Sequence, residues 1–278
     1  MYTVAFHCVV LASFVDYDET EVKRRLFPYF TEQAAACEFY LDDERRQRLK
    51  LQEKPLLTWT NAEKFMGAVF IWTFHGRPEM IGCIGSRQFR PTQSRVFHEF
   101  HSLSLRPLQP VTFANGQQWQ PNKPGLTMIP LDTADPPADS ERQRLTQMRN
   151  LAREFRGWMK FGDDVSELRL LPQPIVRYQA PDRGAIDGAI FALVWNGTDP
   201  EILVILEDRR EIGTPTWHYA LARFNYRELW VKHLEKEIWR VPVESESEVY
   251  LTSRVGEIFL DDLEPAPQAD EADKKQTD

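Results

Sequence analysis

The chain has 278 residues, of which 42% are hydrophobic, 12% aromatic and 27% charged. That length allows one large domain or two small ones with a proper core, and that composition excludes a fibrous chain or one disordered over most of its length. A formal net charge of −8 repels phosphate backbones, so nucleic acid is not expected as a partner. No run approaches the roughly 18–20 apolar residues of a membrane helix, so a soluble protein is expected, cytoplasmic or exported.

The opening segment, residues 1–17, begins "MYTVAFHCVVLASFV". Its apolar run resembles a worn secretory leader, and Val10 and Ala12 suit a cleavage site. However, no Lys or Arg precedes it and His7 interrupts it, which favours an N-terminal strand or the start of a mature domain. Cys8, Cys37 and Cys83 are scattered and odd in number, without CxxC spacing. They read as buried free thiols rather than a disulfide framework or a zinc site.

A first unit is expected over 18–125. Phe27, Phe30, Ala34, Cys37 and Leu41 step by three and four, which predicts a helix starting or kinking near Pro28. Strands are expected near 48–52, 55–60, 67–74, 78–85 and 96–104, in runs rich in Val, Ile, Phe and Trp divided by Gly and Pro turns. A Pro-rich linker covers 126–139. The second unit, 140–260, opens with a capping signature, Ser140 followed by Gln143, and the stripe Leu145, Met148, Ala152, Phe155 and Met159. Strands follow near 166–171, 174–179, 187–195, 201–207, 217–224 and 236–241. "AIFALV" and "ILVIL" are apolar on both faces, so these strands should be covered on both sides. In "WHYALARF", His218, Ala220 and Ala222 share a strand face whose small residues would admit a helix. The acidic, Pro-broken segment 261–278 reads as a disordered tail.

The two units spell similar sentences. Pro55 and Trp59 match Pro174 and Tyr178, 119 positions on; Gly67, Ala68 and Phe70 match Gly188, Ala189 and Phe191, 121 on. The turns "HGRPE" and "NGTDPE" follow. "FHEFHSL" from Phe97 lies opposite "WHYALAR" from Trp217, and Trp119 opposite Trp239, 120 on. Four matches in one order imply a tandem duplication with a period of about 120 residues, too long for a solenoid. The expected fold is therefore α+β: two pseudo-symmetric halves, each a helix and an antiparallel meander, packed together with a groove between them.

"HEFHSLS", "RLTQMRNLAREF", "LRLLPQPIVRY", "DGAIFALVWNGTDPEILVILE" and "WHYALAR" resemble an uncharacterised family of bacterial proteins met mainly in planctomycetes, over about Leu49 to Pro242. The resemblance implies no activity, cofactor or catalytic residue. Relatives often open with a clearer secretory leader, which implies export for the family, while this chain departs from that start.

Chemistry has few places to reside. His98, Glu99 and His101 form the best cluster of ligand-type side chains, but on a strand His98 and His101 point to opposite faces and cannot share a metal ion. Ser102 and Ser104 lie near them in sequence only. Arg87, Arg90 and Arg95 form the one notable basic cluster, a carboxylate or phosphate clamp if it is not simply a solvated loop. The Gly76–Glu79 and Gly197–Glu201 segments read as plain turns, and the Trp set as core. No GxSxG, Walker A, GxGxxG or CxxC occurs, and no metal or cofactor is expected. The preferred reading is a non-catalytic binding or interaction protein whose partner is a small molecule or a protein. The alternative is a hydrolase built from the first unit around His98, Glu99 and the Arg87–Arg95 loop.

Overall fold

A computed structural model describes residues 17–210 and 215–267. The apolar opening segment, except Tyr17, lies outside the described residues, and so does the leader reading. In chain order the elements are α1 (Glu19–Ala35), β1 (Lys50–Leu51), β2 (Leu57–Thr60), β3 (Phe65–Phe74), β4 (Arg77–Arg90), β5 (Gln93–Ser102), β6 (Val111–Thr112), β7 (Gln118–Trp119) and β8 (Ile129–Pro130). Then follow α2 (Glu141–Ala152), β9 (Phe155–Phe161), β10 (Asp164–Leu170), β11 (Val176–Ala180), β12 (Ala185–Val194), β13 (Pro200–Arg209), β14 (Thr216–Arg223), β15 (Glu228–His233), β16 (Lys236–Val241) and β17 (Tyr250–Phe259). Every pairing is antiparallel, as expected of an α+β chain whose strands follow one another without crossover helices.

Sheet 1 has the order β1-β3-β4-β5-β17, with β2 also on β3; sheet 2 runs β16-β15-β9-β10-β12-β13-β14-β8, with β11 also on β12. Period-two alternation sorts the side chains into three apolar layers. Phe70, Trp72, Ile84 and Phe100 face α1 through Val22, Leu26 and Phe30. Val69, Ile71, Ile81 and Cys83 face Ile190, Ala192, Leu203 and Ile205 of the other sheet. Ala189, Phe191 and Val204 face α2 through Met148 and Ala152. The order is helix, sheet, sheet, helix, and the central strands are covered on both sides. Phe30 is wholly buried; truncating it to Ala would cost about 3–5 kcal/mol. Ala220 and Ala222 lie in the middle layer, so their small side chains admit the second sheet and not a helix.

The helices depart from the sequence expectation at their ends. α1 begins at Glu19, nine positions before Pro28, because Asp18 caps it by accepting from the Glu21 amide at 2.8 Å and Glu19 and Glu21 suit its first turn. Pro28 has no N–H for the Arg24 carbonyl, and the Ala266 amide donates to that carbonyl instead, at 2.9 Å. This bond and the short 3₁₀ turn Leu260–Asp262 fix residues 261–267 of the supposed tail onto α1; the remainder lies outside the described residues. α2 is capped by Ser140 as expected but stops at Ala152, and Phe155 and Met159 continue the apolar stripe from β9. α2 is polar, and its hold on the sheet includes buried Arg144 donating to buried Asp187 at 2.9 Å.

The ladders of the two sheets match in detail. Trp59 stands opposite Gly67 and Tyr178 opposite Gly188. Each ring fills the space a glycine Cβ would occupy, at 2.9 Å and 2.6 Å. Lys50 pairs with Thr73 as Arg169 does with Val194. The β3–β4 ladder slips between Trp72 and Thr73, leaving Glu79 unpaired after Pro78; the β12–β13 ladder slips between Leu193 and Val194, leaving Glu201 unpaired after Pro200. Phe97 stands opposite Gly85, the rung that His218, not Trp217, holds opposite Glu207. The match fails at Trp119, which sits in the small β6–β7 hairpin, whereas Trp239 is in the edge strand β16. β17, which follows the second meander in sequence, pairs with β5 of sheet 1.

Candidate functional site

The middle layer is apolar at its centre and charged at both ends. At one end, Arg77 from the start of β4 donates to Glu207 near the end of β13 at 3.0 Å, so these strands cross the layer in opposite senses. Tyr178 and Arg209 also donate to Glu207, at 2.7 Å and 2.6 Å. Arg183 donates to Glu79 at 2.9 Å, and Arg77 gives two further hydrogen bonds to the Pro78 and Leu103 carbonyls. Arg77, Glu79 and Glu207 are all but inaccessible. This end is closed and its charges are matched.

The opposite end, where β4 finishes and β13 begins, holds a cavity of about 770 Å³. β2, β4, β5 and β17 contribute Trp59, Arg87, Phe97, Glu99 and Thr252; the turn after β12, the start of β13 and the segment after β14 contribute Trp195, Asp199, Glu201, Asn225 and Arg227. The sequence makes this space by omission. Gly85 occupies the β4 rung that corresponds to Glu207, so a side chain that fills the closed end is missing here. The Phe97 ring lies where a Gly85 Cβ would be, at 2.4 Å. Gly197, at φ +71°, turns the chain back before Pro200.

Four carboxyl groups line this cavity: Glu63 is exposed, whereas Glu99, Asp199 and Glu201 are not. Glu201 is only 3% exposed and accepts from the Asn225 side-chain amide at 2.6 Å. Burial pushes it up to about 7. Glu99 accepts from the Tyr250 hydroxyl, and burial pushes it up to about 8. Asp199 is raised well above its ordinary value by burial and then by the charges of Glu201 and Glu99. Among the described residues, the side-chain hydrogen-bond partners of Glu99 and Glu201 are neutral.

The nearby guanidinium groups act on these acids only from beyond ion-pair distance: the charge of Arg227 lowers Glu201 and Asp199 and that of Arg223 lowers Glu99, in each case less than burial raises them. Buried Arg223 donates to the Asn225, Arg227 and Pro242 carbonyls and lies 4.8 Å over the Tyr250 ring. Arg227 stacks on Phe161 at 3.9 Å, with Trp195 and Tyr226 also within reach. On the rim, Arg95 pairs with Glu257 at 3.0 Å and Arg87 lies over Phe65 at 4.9 Å. The result is an aromatic-walled chamber with acids at its buried side and arginines at its mouth.

Of the residues singled out from sequence, Glu99, Arg87 and Arg95 meet here. Arg90 is exposed, bonded to Gln93 at 3.2 Å. His98 turns to the other face of β5, against Phe100 and Phe113, and burial holds it down at about 4. His101 is buried with its Nδ1 2.7 Å from the Ser102 carbonyl, and burial lowers it to about 4 as well. Cys37 and Cys83 are buried free thiols; burial pushes Cys37 up to about 12. Among the described residues, no group of three or more His, Cys, Asp and Glu side chains is arranged to hold a metal ion, and no helix is long and apolar enough to cross a membrane.

Asp199 and Glu201 escaped the sequence reading because "NGTDPE" looks like a turn. The available signal was the difference between the two matching segments: Arg77-Pro78-Glu79 in one, Asp199-Pro200-Glu201 in the other. No protein-family model, curated protein or solved structure matches this chain.

Proposed function

We propose that the protein is a small-molecule binding protein whose site is the cavity between the two sheets. The observation that carries this reading is a chamber of about 770 Å³ lined from both sheets, in which burial outweighs the charges of Arg223 and Arg227 and keeps Glu99, Asp199 and Glu201 raised. Burial of acids outside ion pairs is unfavourable and is kept where a ligand or a reaction uses them. Aromatic walls with a few convergent polar groups are the usual form of a ligand site. Tandem duplication explains how such a chamber arises: the two halves, descended from one segment, keep the same rungs and the same bulge after proline, while one end of their interface has lost the side chains that close the other. That the chain belongs with the planctomycete-type proteins it resembles is part of the same proposal.

The test is a thermal-shift screen of metabolites against the wild type and Thr252→Trp, which fills the chamber beside Glu99 and leaves the three acids in the sequence. Ligands should raise the Tm of the wild type and not of the variant; hits that shift both equally would place binding elsewhere.

A hydrolase is the second reading. One observation favours it: two carboxyl groups raised to about 7 and about 8 face one space, which suits a proton donor beside a proton acceptor. In this version Glu99 works with Glu201, and His98 takes no part because it faces away. Glu99→Gln should then abolish any turnover found in a hydrolase substrate panel while leaving binding in place.

A further inference from the structure

The closed end shows what the open end lacks. Glu79 and Glu201 are corresponding bulge residues after Pro78 and Pro200. Immediately before those prolines, the first segment has Arg77 and the second has Asp199. At the closed end the Arg77 guanidinium lies between two carboxylates, 3.0 Å from Glu207 and 3.6 Å from Glu79. At the open end the corresponding cation is replaced by an acid, and the Glu207 position by Gly85. The Phe97 ring lies against the Gly85 position, a shorter acid stands for Arg77, and one positive charge is lost.

We propose that the cavity binds the guanidinium group of a small molecule, which takes the place among Glu99, Asp199 and Glu201 that Arg77 holds between Glu79 and Glu207. The proposal rests on the reading of the cavity as a binding site and names the chemistry of its ligand. The walls agree with it. Phe97 and Trp59 line the same chamber, and an aromatic face attracts a desolvated cation. A carboxylate receives a guanidinium through two parallel N–H bonds, which Glu201 and Asp199 can accept from one planar group. The arginines at the mouth, Arg87 and Arg95, would meet a carboxylate carried at the other end of such a ligand. Entry of a cation favours the ionised acids, so protons leave on binding and affinity rises between pH 6 and pH 8.

Two arms test this. In the first, isothermal titration at pH 8 compares agmatine and L-arginine with L-citrulline, which keeps the shape and the α-ammonium of arginine and loses only the guanidinium charge. The cations should bind and citrulline should not, and Asp199→Asn or Glu201→Gln should weaken the cations by roughly tenfold or more. Citrulline or inorganic phosphate binding as tightly as L-arginine would overturn the cation while leaving the cavity as a site. The second arm needs no ligand. Asp199→Arg restores the residue of the closed end, and Asp199→Asn controls for loss of the acid. The Arg variant should melt higher than the Asn variant, by roughly 2–4 °C, and should no longer take up agmatine. An Arg variant that melts no higher than the Asn variant would show that this end does not want a cation, and would overturn the proposal even if no compound binds.

Discussion

At one end of the middle layer Glu79 and Glu207 lie against Arg77, Arg183 and Arg209; at the other, Glu99, Asp199 and Glu201 face an open chamber with a tyrosine and an asparagine as their polar partners. β4 and β13 run through both ends in opposite senses, but the delivery differs: β5 adds Glu99 at the open end, and the turn Pro181–Arg183 adds Arg183 at the closed end. Desolvating a carboxylate is unfavourable in either place. The closed end offsets this with matched charges and converts it into a rigid joint between the sheets. The open end leaves it as raised pKa values and empty volume, which is the condition for taking up something from outside.

The largest effect should come from breaking the closed end. Arg77→Met leaves Glu79 and Glu207 buried with less countercharge and should destabilise the protein by about 3–5 kcal/mol in urea unfolding. Glu201→Gln should show no such loss at pH 8. Equal losses at the two ends would erase the distinction between them.

Next in size is an attempt to close the chamber from sheet 1. Gly85→Glu installs the residue of the closed end, but its Cβ would meet Phe97 at 2.4 Å and the Met66 carbonyl at 2.7 Å. Overpacking of this kind costs typically about 1–3 kcal/mol. The variant should be less stable and should not bind ligand; a variant of unchanged stability would mean that Phe97 swings aside freely and the chamber is wider than it stands.

A smaller effect is expected in the pH profile. Glu99 and Glu201 hold their protons in the folded chain at pH values where the unfolded chain, with carboxyls near 4.5, has lost them. Their contribution to stability is full below about 4.5 and is lost as pH rises through 7 and 8. His98 and His101 act in the other sense: folded values of about 4 against 6.5 mean stability that is full above 6.5 and lost as pH falls toward 4. Thermal melts of the wild type should peak between these limits. Glu99→Gln and Glu201→Gln should each flatten the decline from pH 6 to 8, and an unchanged slope would remove these groups from the account. Least of all should matter Arg95→Ala, whose ion pair with Glu257 is about half exposed on both sides; its stability should stay within about 0.5 kcal/mol of the wild type.

Much of this fold was legible because its signals are local. Gly-Pro turns and alternating Val, Ile and Phe marked the strands of both meanders, and the spacing of Pro55, Trp59 and Gly67 against Pro174, Tyr178 and Gly188 anticipated matching ladders. What escaped depends on distant partners. β9 was absorbed into α2 because Phe155 and Met159 keep helical spacing by chance. Pro28 looked like a helix start because nothing local shows that Ala266 takes the carbonyl it frees. The site was half legible: Glu99, Arg87 and Arg95 were marked as unusual residues, whereas Asp199 and Glu201 were hidden in a turn whose meaning depends on what stands across the layer. The direction of a side chain decided the rest, since one step along β5 puts Glu99 in the chamber and His98 against Phe113.

The most direct measurement is a carbon-13 NMR titration of the glutamate side-chain carboxyls in the ligand-free protein, with Glu99→Gln and Glu201→Gln to assign the signals. The account expects Glu201 to titrate near 7 and Glu99 near 8, both returning toward ordinary values once a cation occupies the chamber. Midpoints near 4.5 for both groups in the free protein would contradict it, because two ionised acids at that depth would require a cation already in place.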